Sequence, residues 1–533
     1  MTAPSRPAAS PSLRTDSAGG RPFARVLIAN RGEIAVRIIR TCRDLGIETV
    51  AVYSDVDADA SHVRSADHAV RLGPAPAAES YLRGDAIIDA ALASGAQAVH
   101  PGYGFLSERA SFARAVIDAG LVFVGPTPDA IDAIGDKVAA RRTAQTVGVP
   151  VVPGTFEPAD IDRPDAIDGI VAAAEAVGFP LLVKAAAGGG GRGMRRVATA
   201  SELPAALVAG SAEARSAFGD GSVYLEREIR PARHIEVQLL GDRHGTIVAL
   251  GERDCSIQRR HQKLVEESPA PGLTRDERAE LHALAVAAAR AAELTSTATA
   301  EFLFDGARRP WFLEVNARLQ VEHGVTELVS GLDLVAEQLW VAAGVPLSAA
   351  VHAAARHAAD PDRHALEVRI SAEDPSLDFV PTPGRVGHWT MPSGPDVRVD
   401  TALRMGERVP PDYDPLLAKV MTVGPDRASA IDRMRRALDE TDITGLQTTL
   451  PFHRALLADP AFRDADLSTE HVALHWDGAA AREAVRERAY RLAADAVAGR
   501  PPRVAGSSSL RKDATPTGWR TAARQEAIDR WPR

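Results

Sequence analysis

Cysteine, aromatic residues and long apolar runs are all scarce in this chain. Its 533 residues include two cysteines, Cys42 and Cys255, which are too few for a disulfide framework. This usage favours a reducing compartment, and we expect the cytoplasm. No apolar run approaches the ~20 residues that a membrane-spanning helix needs. Membrane proteins and disulfide-built secreted proteins are therefore excluded, and with aromatics at 5% the cores must be packed with small aliphatic side chains.

An excess of positive charge is absent as well. Lys and Arg number 62 against 71 Asp and Glu, so the net charge is −9 and no general attraction to nucleic acid or anionic lipid follows. At roughly 150 residues per domain, the length suggests three or four domains. Residues 1–20 lack the apolar region of a secretory signal and are rich in Pro, Ala and Ser, which predicts a disordered tail.

The first folded region has the pattern of a parallel α/β domain. An apolar run at Val26–Ala29 is followed by helical spacing of apolar residues over Ile34–Leu45 and by a second strand-like run at Thr49–Tyr53. A strand, a helix and a strand in succession favour a parallel sheet. The first turn reads ANRGE rather than GxGxxG, so a dinucleotide site is rejected. We predict a Rossmann-like domain over residues 21–136.

Two further regions and a tail follow this domain. Residues 137–345 combine a glycine-rich loop with β-prone runs separated by Gly-Asp and Asp-Gly turns, which predicts antiparallel hairpins, and a strong helix is predicted over 276–292. Residues 355–475 mix strand patterns with a helix at Arg427–Leu438. Residues 476–533 are rich in Ala and Arg, and we predict a helix with a mobile end. The fold class is thus a multidomain combination of α/β and α+β.

Polar and apolar residues alternate strictly along WFLEVNARLQVEH, residues 311–323. If the chain is extended there, all its polar groups lie on one side; they are Glu314, Asn316, Arg318, Gln320 and Glu322. The solvated face of an amphipathic strand would show the same alternation. Because Glu301 precedes this segment across an Asp-Gly turn, Glu301 and Glu314 are predicted to face each other on adjacent strands. Such paired carboxylates suit a hard cation such as Mg²⁺.

A glycine run with two lysines indicates an anion site. Lys184 ends a predicted strand and is followed by Gly188–Gly191, Arg192 and Gly193, without the Lys-Ser/Thr of a Walker A loop. Because glycines let backbone N–H groups approach phosphates, we interpret the run as a mobile phosphate lid, with a flexible linker as the alternative. Lys137, at the start of a predicted helix, is a weaker second cation that fits a surface position equally well.

Residues 252–267, ERDCSIQRRHQKLVEE, form a dense charged run. Such a run is usually solvated, but beside an anionic substrate its basic residues would form a binding wall; they are Arg259, Arg260, His261 and Lys263. On spacing alone, His261 fits a surface position as well as a functional one.

Six motifs together resemble the biotin carboxylases, the ATP-grasp components of biotin-dependent carboxylases. They run in the family's order from about residue 25 to 475: IANRGEIAVRIIR, HPGYGFLSE, GGGGRGM, GERDCSIQRRHQK, EVNARLQVEH and PDYDPLLAKV. The combination is highly specific, since other ATP-grasp ligases share only the grasp and its metal glutamates. The resemblance implies N-terminal biotin carboxylase, central ATP-grasp and C-terminal biotin carboxylase domains over the three folded regions bounded above.

The resemblance also implies the reaction and the residues that serve it. Members of the family use ATP, Mg²⁺ or Mn²⁺ and bicarbonate to form carboxyphosphate, and then carboxylate a biotin held on a carrier. ATP would be bound by Lys137, Lys184, Gly188, Gly189, Gly190, Gly191, Arg192, Gly193, Met194, Glu226, Arg227, Glu228, Ile229, His234, Gln258 and His261. The metal ion would be held by Glu301, Glu314 and Asn316. Bicarbonate would be bound by Lys263, Arg318, Gln320 and Val321.

Four residues would carry catalysis: Glu322, Arg318, Arg369 and Lys263. In the resemblance, Glu322 deprotonates bicarbonate and Arg369 stabilises the biotin enolate. A guanidinium fork fits planar bicarbonate better than a lysine does. We also expect Arg318 to lower the pKa of Glu322 and so keep this base ionised.

The chain departs from the family's usual residues at Ala187, Ala317 and Gly324, and none of these changes removes a proposed chemical group. No Met-Lys dipeptide occurs, so biotin is expected on a separate chain. The expected partners are a biotin carboxyl carrier protein and a carboxyltransferase subunit, and the expected assembly is a homodimer or larger complex. No nucleic-acid or membrane partner is expected. We predict the biotin carboxylase subunit of an acetyl- or propionyl-CoA type carboxylase. The alternatives are a urea or pyruvate carboxylase component, another ATP-grasp ligase and a non-catalytic scaffold subunit.

Overall fold

The computed structural model describes residues 20–161, 166–186 and 194–497. The predicted tail at residues 1–19, the glycine run Gly188–Gly193 with Arg192, and the predicted mobile end beyond 497 lie outside the described residues. The chain divides into two compact units, Met1–Trp476 and Asp477–Arg533. Among the described residues, no helix has the length and apolar character needed to cross a membrane.

The N-terminal region contains the predicted parallel sheet, which confirms that part of the fold class. Its five strands have the order β3-β2-β1-β4-β5, and every neighbouring pair is parallel. The strands are β1 (Arg25–Ile28), β2 (Glu48–Ser54), β3 (His68–Gly73), β4 (Ala98–His100) and β5 (Val122–Phe123). The helices are α1 (Gly32–Asp44), α2 (Ser61–Ser65), α3 (Gly84–Ser94), α4 (Ala110–Asp118), α5 (Pro128–Gly135) and α6 (Lys137–Thr146).

A small antiparallel sheet follows, with the order β7-β6-β8. Its elements are α7 (Ala166–Val177), β6 (Leu181–Ala185), β7 (Arg195–Val197), α8 (Leu203–Phe218) and β8 (Val223–Arg227). Leu181 and Val183 of β6 are fully buried, whereas Lys184 is only half-buried. Because side chains alternate along a strand, Lys184 points away from this small core.

The largest sheet is antiparallel and has eight strands in the order β13-β12-β9-β10-β11-β14-β21-β19. It joins the predicted ATP-grasp and C-terminal regions, because β11 pairs with β14. The predicted domain bounds stay predictions. The strands from β9 onward are β9 (Arg233–Gly241), β10 (Ile247–Arg259), β11 (Gln262–Ser268), β12 (Ser296–Phe304), β13 (Pro310–Asn316), β14 (His364–Ser371), β15 (Glu373–Asp374), β16 (Val380–Pro381), β17 (Gly384–Arg385), β18 (Trp389–Thr390), β19 (Val397–Thr401), β20 (Arg408–Val409), β21 (Leu416–Gly424) and β22 (Asp442–Ile443).

Nine further helices follow the small sheet in the described part of the chain. They are α9 (Arg275–Ala291), α10 (His323–Ser330), α11 (Leu334–Ala342), α12 (Ala349–His357), α13 (Arg427–Glu440), α14 (Leu450–Leu456), α15 (Pro460–Arg463), α16 (His471–His475) and, in the second unit, α17 (Gly478–Val497). The helix predicted over 276–292 is α9. It begins where the Thr274 hydroxyl and the Glu277 carboxylate form a capping box, which satisfies backbone donors at its first turn.

The large sheet has an apolar face and a polar face in its C-terminal half. Leu366, Val368 and Ile370 of β14 belong to one core cluster with Met434 and Leu438 of α13. The intervening residues of β14, Glu367 and Arg369, point to the opposite face by strand alternation. This opposite face carries the candidate site.

Candidate active site

A two-stranded hairpin forms one wall of the site. Strands β12 and β13 pair in the register that sets Glu301 opposite Glu314, as the sequence predicted. Asn316, the last residue of β13, donates to Glu301 Oε1 at 2.9 Å. His234 on the neighbouring strand β9 lies with its Nε2 3.0 Å from Glu301 Oε2. Glu301 is therefore buried among a cationic and an amide partner.

The extended segment predicted to run as far as Glu322 ends earlier. Strand β13 stops at Asn316, where its pairing with β12 also ends, and Glu322 occupies the N-cap of α10. The side chains still converge, because Arg318 donates to Gln320 Oε1 at 2.9 Å and to Asn316 Oδ1 at 3.2 Å. Contacts between side chains, rather than a continuous strand, hold this group together.

The charged run at residues 252–267 is not a solvated face. It forms β10, a tip at Arg260 and His261, and β11, and it lies in the middle of the large sheet. Arg253 is fully buried and donates to Glu236 Oε1 at 2.7 Å. Within residues 252–267, only Arg260, His261 and Gln262 are exposed. Local charge density predicted exposure here, but partners on β9, β12 and α10 neutralise the buried charges.

Buried charges from three strands and a helix start meet behind the hairpin. We call this group the substrate cluster; it consists of Glu236, Lys263, Glu266, Glu322, Glu367 and Arg369. Lys263 Nζ donates to Glu322 Oε1 at 2.6 Å and to Glu301 Oε1 at 3.1 Å, and it also bonds Glu236. Arg369 donates to Glu322 Oε2 at 2.8 Å and to Glu266 Oε1 at 2.6 Å. Both oxygens of Glu322 are thus held by cations.

These cations decide the protonation of Glu322. Burial alone would raise the pKa of Glu322, but the charges of Lys263, Arg369 and Arg253 outweigh it and hold this pKa well below its usual range. The sequence predicted that Arg318 would lower the pKa of Glu322. Arg318 instead forms its ion pair with Glu108, at 2.8 Å. Glu322 is ionised, as predicted, but through Lys263 and Arg369.

Two other carboxyls of the cluster behave in the opposite way. Glu266 and Glu367 are register partners on β11 and β14, so their side chains lie side by side on one face. Burial raises the pKa of Glu266 to about 7 against the lowering charge of Arg369. Burial also raises the pKa of Glu367, and neither of its oxygens has a hydrogen-bond partner among the described residues. This pair therefore holds a proton near neutral pH.

The two lysines predicted at the phosphates lie on opposite sides of a common space. Lys137, the first residue of α6, bonds Glu314, and Lys184 bonds Glu226 of β8. Asp136 fixes the start of α6, because its side chain accepts from the second and third backbone N–H groups of this helix at 3.0 Å. The charges of both lysines lower the pKa of Glu226 against the raising effect of its burial. Two cations are thereby poised on carboxylates that an anionic ligand would replace.

The other residues predicted to bind ATP fall into two groups. His234 and Gln258 are buried together, with 3.3 Å between His234 Nδ1 and Gln258 Nε2. His261 is exposed at the β10–β11 tip, where the charge of Lys184 adds to desolvation in lowering its pKa. Arg227 donates away from the site, to the Val177 carbonyl at 2.9 Å.

The remaining predicted positions are less constrained. Glu228 pairs with Arg196 at 2.7 Å, and Ile229 and Met194 are half-buried. The carbonyl of Val321 accepts from Lys419 at 2.8 Å, which fixes the backbone just before Glu322.

The donor set at the hairpin fits a hard divalent cation. Glu301, Glu314 and Asn316 offer carboxylate and amide oxygens of the kind that Mg²⁺ and Mn²⁺ prefer. In the structure, Lys263 holds Glu301 and Lys137 holds Glu314. An ion that arrives together with the anionic substrates would find these oxygens released, because phosphates would draw Lys137 away and bicarbonate would draw Lys263 away.

Several residues of the site were not predicted. Glu236, Arg253, Glu266 and Glu367 are fully buried, and Lys419 lies fully buried behind Val321. A signal for Glu236 was present, because His234, Glu236 and Gln238 alternate with apolar residues on β9. The other four carry no local signal, since their partners come from distant strands.

At position 324 this chain has glycine instead of the family's usual residue, and the reason is steric. A Cβ built on Gly324, in the first turn of α10, would collide with Met421 Sδ of β21. Met421 is fully buried, so it cannot swing aside. Glycine at 324 therefore makes room for methionine at 421.

Two lysines and two glutamates between a small sheet and a large antiparallel sheet define the ATP-grasp class of ligases. Residues 136–350 match the family model described as the ATP-binding domain of the carbamoyl-phosphate synthase L chain. Residues 22–131 match the biotin carboxylase N-terminal domain, and residues 367–473 match the biotin carboxylase C-terminal domain.

Curated relatives and solved structures agree with these matches. The biotin carboxylase of Nostoc sp. is 47% identical over 84% of this chain and 98% of the relative. The acyl-coenzyme A carboxylase alpha3 subunit of Mycobacterium leprae is 47% identical over 82% of this chain and 72% of the relative. One pyruvate carboxylase subunit of Methanothermobacter thermautotrophicus is 43% identical over 84% of this chain and 89% of the relative. A Campylobacter jejuni biotin carboxylase structure, a β,γ-ATP complex, superimposes with a TM-score of 0.81, at 41% identity over 85% of this chain and 99% of that one.

The chain belongs to the biotin carboxylase family. It is accordingly an ATP-dependent carboxylating ligase, and the resemblance that its motifs carried is confirmed.

Proposed function

We propose that this chain is the biotin carboxylase subunit of an acyl-CoA carboxylase and that it carboxylates biotin on a separate carrier protein. The observation that carries the proposal is Glu322, a buried carboxylate held between Lys263 and Arg369. The reaction needs a base for bicarbonate, cations for two anionic substrates, and a space closed to water. The base and two of the cations, Lys263 and Arg369, meet at Glu322.

Bicarbonate activates the base by competing for its cation. Lys263 bonds Glu322 in the structure, and the neighbouring donors Arg318 and Gln320 lie on the same side. When bicarbonate draws Lys263 to its own oxygens, Glu322 Oε1 loses a partner and accepts the bicarbonate proton. The Val321 N–H would complete the bicarbonate site. Proton transfer is therefore coupled to substrate binding. Before bicarbonate binds, Lys263 and Arg369 keep Glu322 too weakly basic to accept a proton.

The lysines serve the phosphates in a similar way. Lys137 and Lys184 would leave Glu314 and Glu226 to bind the oxygens of ATP, because doubly charged phosphate oxygens compete well with a carboxylate. Glu301, Glu314 and Asn316 would then hold Mg²⁺ or Mn²⁺. The ion would neutralise charge that develops on the transferred phosphoryl group. The glycine run Gly188–Gly193 would close over the nucleotide.

Arg369 serves the second half-reaction. Once Glu322 has taken a proton, Arg369 loses one of its two carboxylate partners and keeps only Glu266. Its guanidinium can then donate to the ureido oxygen of biotin and stabilise the enolate. The proton that Glu322 takes from bicarbonate in the first half-reaction thereby prepares Arg369 for the second half-reaction.

The final carboxyl acceptor is a further part of the proposal. The Mycobacterium leprae relative supports an acyl-CoA carboxylase, whereas the Methanothermobacter relative favours the alternative of a pyruvate carboxylase. We favour acyl-CoA because that relative is 47% identical and the other 43%. The non-catalytic scaffold is disfavoured because every described group that the chemistry needs is present. A homodimer, a carboxyltransferase partner and a cytoplasmic location complete the proposal; the two free, buried thiols support a reducing compartment.

The primary test is ADP release by the purified full chain with ATP and Mg²⁺. Bicarbonate should start slow ADP release, and free biotin should accelerate it. A carrier-dependent enzyme assayed in parallel serves as the positive control. If free biotin does not stimulate ADP release by this chain in that experiment, biotin carboxylation is refuted. For another ATP-grasp ligase, bicarbonate would start ADP release and free biotin would not accelerate it.

A second test concerns the carrier and the acceptor. After coexpression with a biotin ligase, the chain should be negative on a streptavidin blot, and a separate carrier protein should be carboxylated much faster than free biotin. A biotinylated chain would contradict the proposed subunit organisation. With the carboxyltransferase added, acetyl-CoA or propionyl-CoA should be consumed, whereas consumption of pyruvate or urea would establish the alternative.

A further inference from the structure

A second cluster of ligand-bearing side chains lies near the end of the first unit, apart from the substrate cluster. It consists of Asp459, His471 and His475. Asp459 caps α15, and the two histidines are the first and last residues of α16, four positions apart and hence on one face. Asp459 Oδ2 is 3.3 Å from His471 Nε2 and 3.3 Å from His475 Nδ1. One ligand atom from each residue lies within 4.8 Å of the other two.

The buried histidine of this cluster has an unfilled position. His471 is 2% exposed, and its Nε2 lies 3.3 Å from Asp459 Oδ2 without forming a well-directed hydrogen bond to it or to another described residue. The backbone carbonyl of Asp466 accepts a hydrogen bond from the His471 ring. Since Nε2 is the unpartnered nitrogen, the ring donates through Nδ1, and Nε2 presents a lone pair. A lone pair 3.3 Å from a carboxylate oxygen is repelled by it, and either a proton on Nε2 or a metal ion bound to both atoms relieves this repulsion.

The spacing of the three atoms fits a tetrahedral metal ion. Zinc bonds of about 2.0–2.2 Å to nitrogen and oxygen place neighbouring donors about 3.3–3.5 Å apart. Both nitrogen–oxygen separations are 3.3 Å, and the two nitrogens lie within 4.8 Å of each other. The other oxygen of Asp459 accepts from the Ala461 N–H at 3.0 Å, which orients the carboxylate. Metal-ligating histidines typically donate their second nitrogen to a backbone carbonyl, as His471 does to Asp466.

The cluster is also accessible to an ion from solvent. The His475 side chain is 39% exposed and that of Asp459 20% exposed, so a water molecule can complete the coordination. Two imidazoles and one carboxylate favour zinc and related transition metals over Mg²⁺, which prefers oxygen ligands. The Mg²⁺ that the reaction uses would therefore not fill this position.

We propose that Asp459, His471 and His475 form a zinc-type metal site that fixes α16 to the start of α15. The segment it would fix reaches the active site. Thr469 N donates to the Ala232 carbonyl at 2.8 Å, and Glu470 forms an ion pair with Arg230. Ala232 immediately precedes β9, the strand that carries His234 and Glu236. The metal thus steadies a contact at the start of this strand without touching substrate.

The test uses the full chain, stripped with a chelator and held in excess Mg²⁺. Zn²⁺ is titrated by calorimetry, and Co²⁺ is titrated in parallel for the visible absorption of a four-coordinate ion. His475→Gln removes the exposed ligand and leaves the buried His471 in place. His352→Gln on α12 is the matched control, because His352 is an exposed histidine on a helix outside the cluster.

We expect one zinc site in the wild type and in His352→Gln. In His475→Gln, the zinc affinity of this site should be at least about tenfold weaker. Asp459→Asn, which keeps the oxygen that caps α15, should weaken the same site and abolish the four-coordinate Co²⁺ spectrum. Metal-free melting temperature and bicarbonate-dependent ADP release should match the wild type in His475→Gln. Equal zinc affinity and stoichiometry in the wild type and His475→Gln would overturn the proposal and leave an ordinary hydrogen-bonded group.

Discussion

The substrate cluster and a second buried group of charges lie near each other in the same unit, yet they differ in how their charges are satisfied. We call the second group the anchor cluster; it consists of Arg37, Glu327, Asp333, Arg398 and Asp400. Each of its six carboxylate oxygens accepts at least one hydrogen bond. In the substrate cluster, Glu266 Oε2 and both oxygens of Glu367 accept none from the described residues.

The difference separates a structural network from a reactive one. Arg37 of α1 donates to Glu327 at 2.8 Å and to Asp333 at 2.9 Å, so it ties the parallel sheet's first helix to the start of α11. Every carboxylate oxygen of this network is therefore satisfied, and Arg37 Nε is its one buried polar side-chain atom without a partner among the described residues. The substrate cluster keeps cations on carboxylates that anionic substrates can replace. In the proposed mechanism, the cluster with unsatisfied groups is the one that changes partners during the reaction.

The largest effect on stability should come from opening the anchor cluster. Arg37→Met keeps much of the side-chain volume but leaves Glu327 and Asp333 without this cation, so the free energy of unfolding should fall by about 3–5 kcal/mol in urea denaturation. Arg40→Met on the same helix is the control. Arg40 is 52% exposed and 3.8 Å from Asp400, so its loss should cost about 0–1 kcal/mol. Equal losses in the two variants would show that the anchor cluster is not structural.

Arg369 distinguishes the two half-reactions. Arg369→Ala should lower biotin-dependent turnover by about 10²-fold and basal bicarbonate-dependent ADP release much less, because enolate stabilisation belongs to the biotin step. Arg427→Ala is matched, since Arg427 pairs at 2.7 Å with Glu267, the neighbour of Glu266 on β11. This control should lower stability and reduce both activities in parallel. If Arg369→Ala also lowered biotin-dependent turnover and basal ADP release in parallel, Arg369 would have only a structural role as an ion-pair partner.

The smallest effect concerns the proton on the Glu266–Glu367 pair. A carboxyl whose pKa is raised by folding binds its proton more tightly in the folded chain, so the free energy of unfolding should fall as the pH rises through about 7. Glu367→Gln removes one ionisable carboxyl of the pair and should flatten this fall between about pH 5 and pH 7. The exposed Glu293→Gln should keep the wild-type slope. A wild-type slope in Glu367→Gln would mean that both carboxyls are ionised.

The sequence predicted local relations well. Alternation and an Asp-Gly turn were sufficient to set Glu301 opposite Glu314, because a short hairpin fixes its own register. The succession of β1, α1, β2, α3, β4, α4 and β5 along the chain followed from apolar spacing, whereas β3 and the order of the strands in the sheet were not predicted. The predicted features depend on residues that are close together in the chain.

Long-range partners could not be predicted in the same way. Lys263 and Arg369 reach Glu322 from β11 and β14, and only the assembled sheet brings these strands together. For the same reason the charged run at residues 252–267 is buried, although its composition is typical of a solvated surface. Motif resemblance supplied the roles of these residues, but not the contacts that adjust their pKa values.

Glu322 is the group on which the account depends. The most direct measurement is bicarbonate-dependent ADP release at saturating ATP in Glu322→Gln, with ATP affinity measured in the same preparation. Glutamine keeps the size of the side chain but cannot accept the proton, so turnover should fall by about 10²-fold or more while ATP affinity stays near that of the wild type. Near-wild-type turnover in Glu322→Gln would contradict its role as the base.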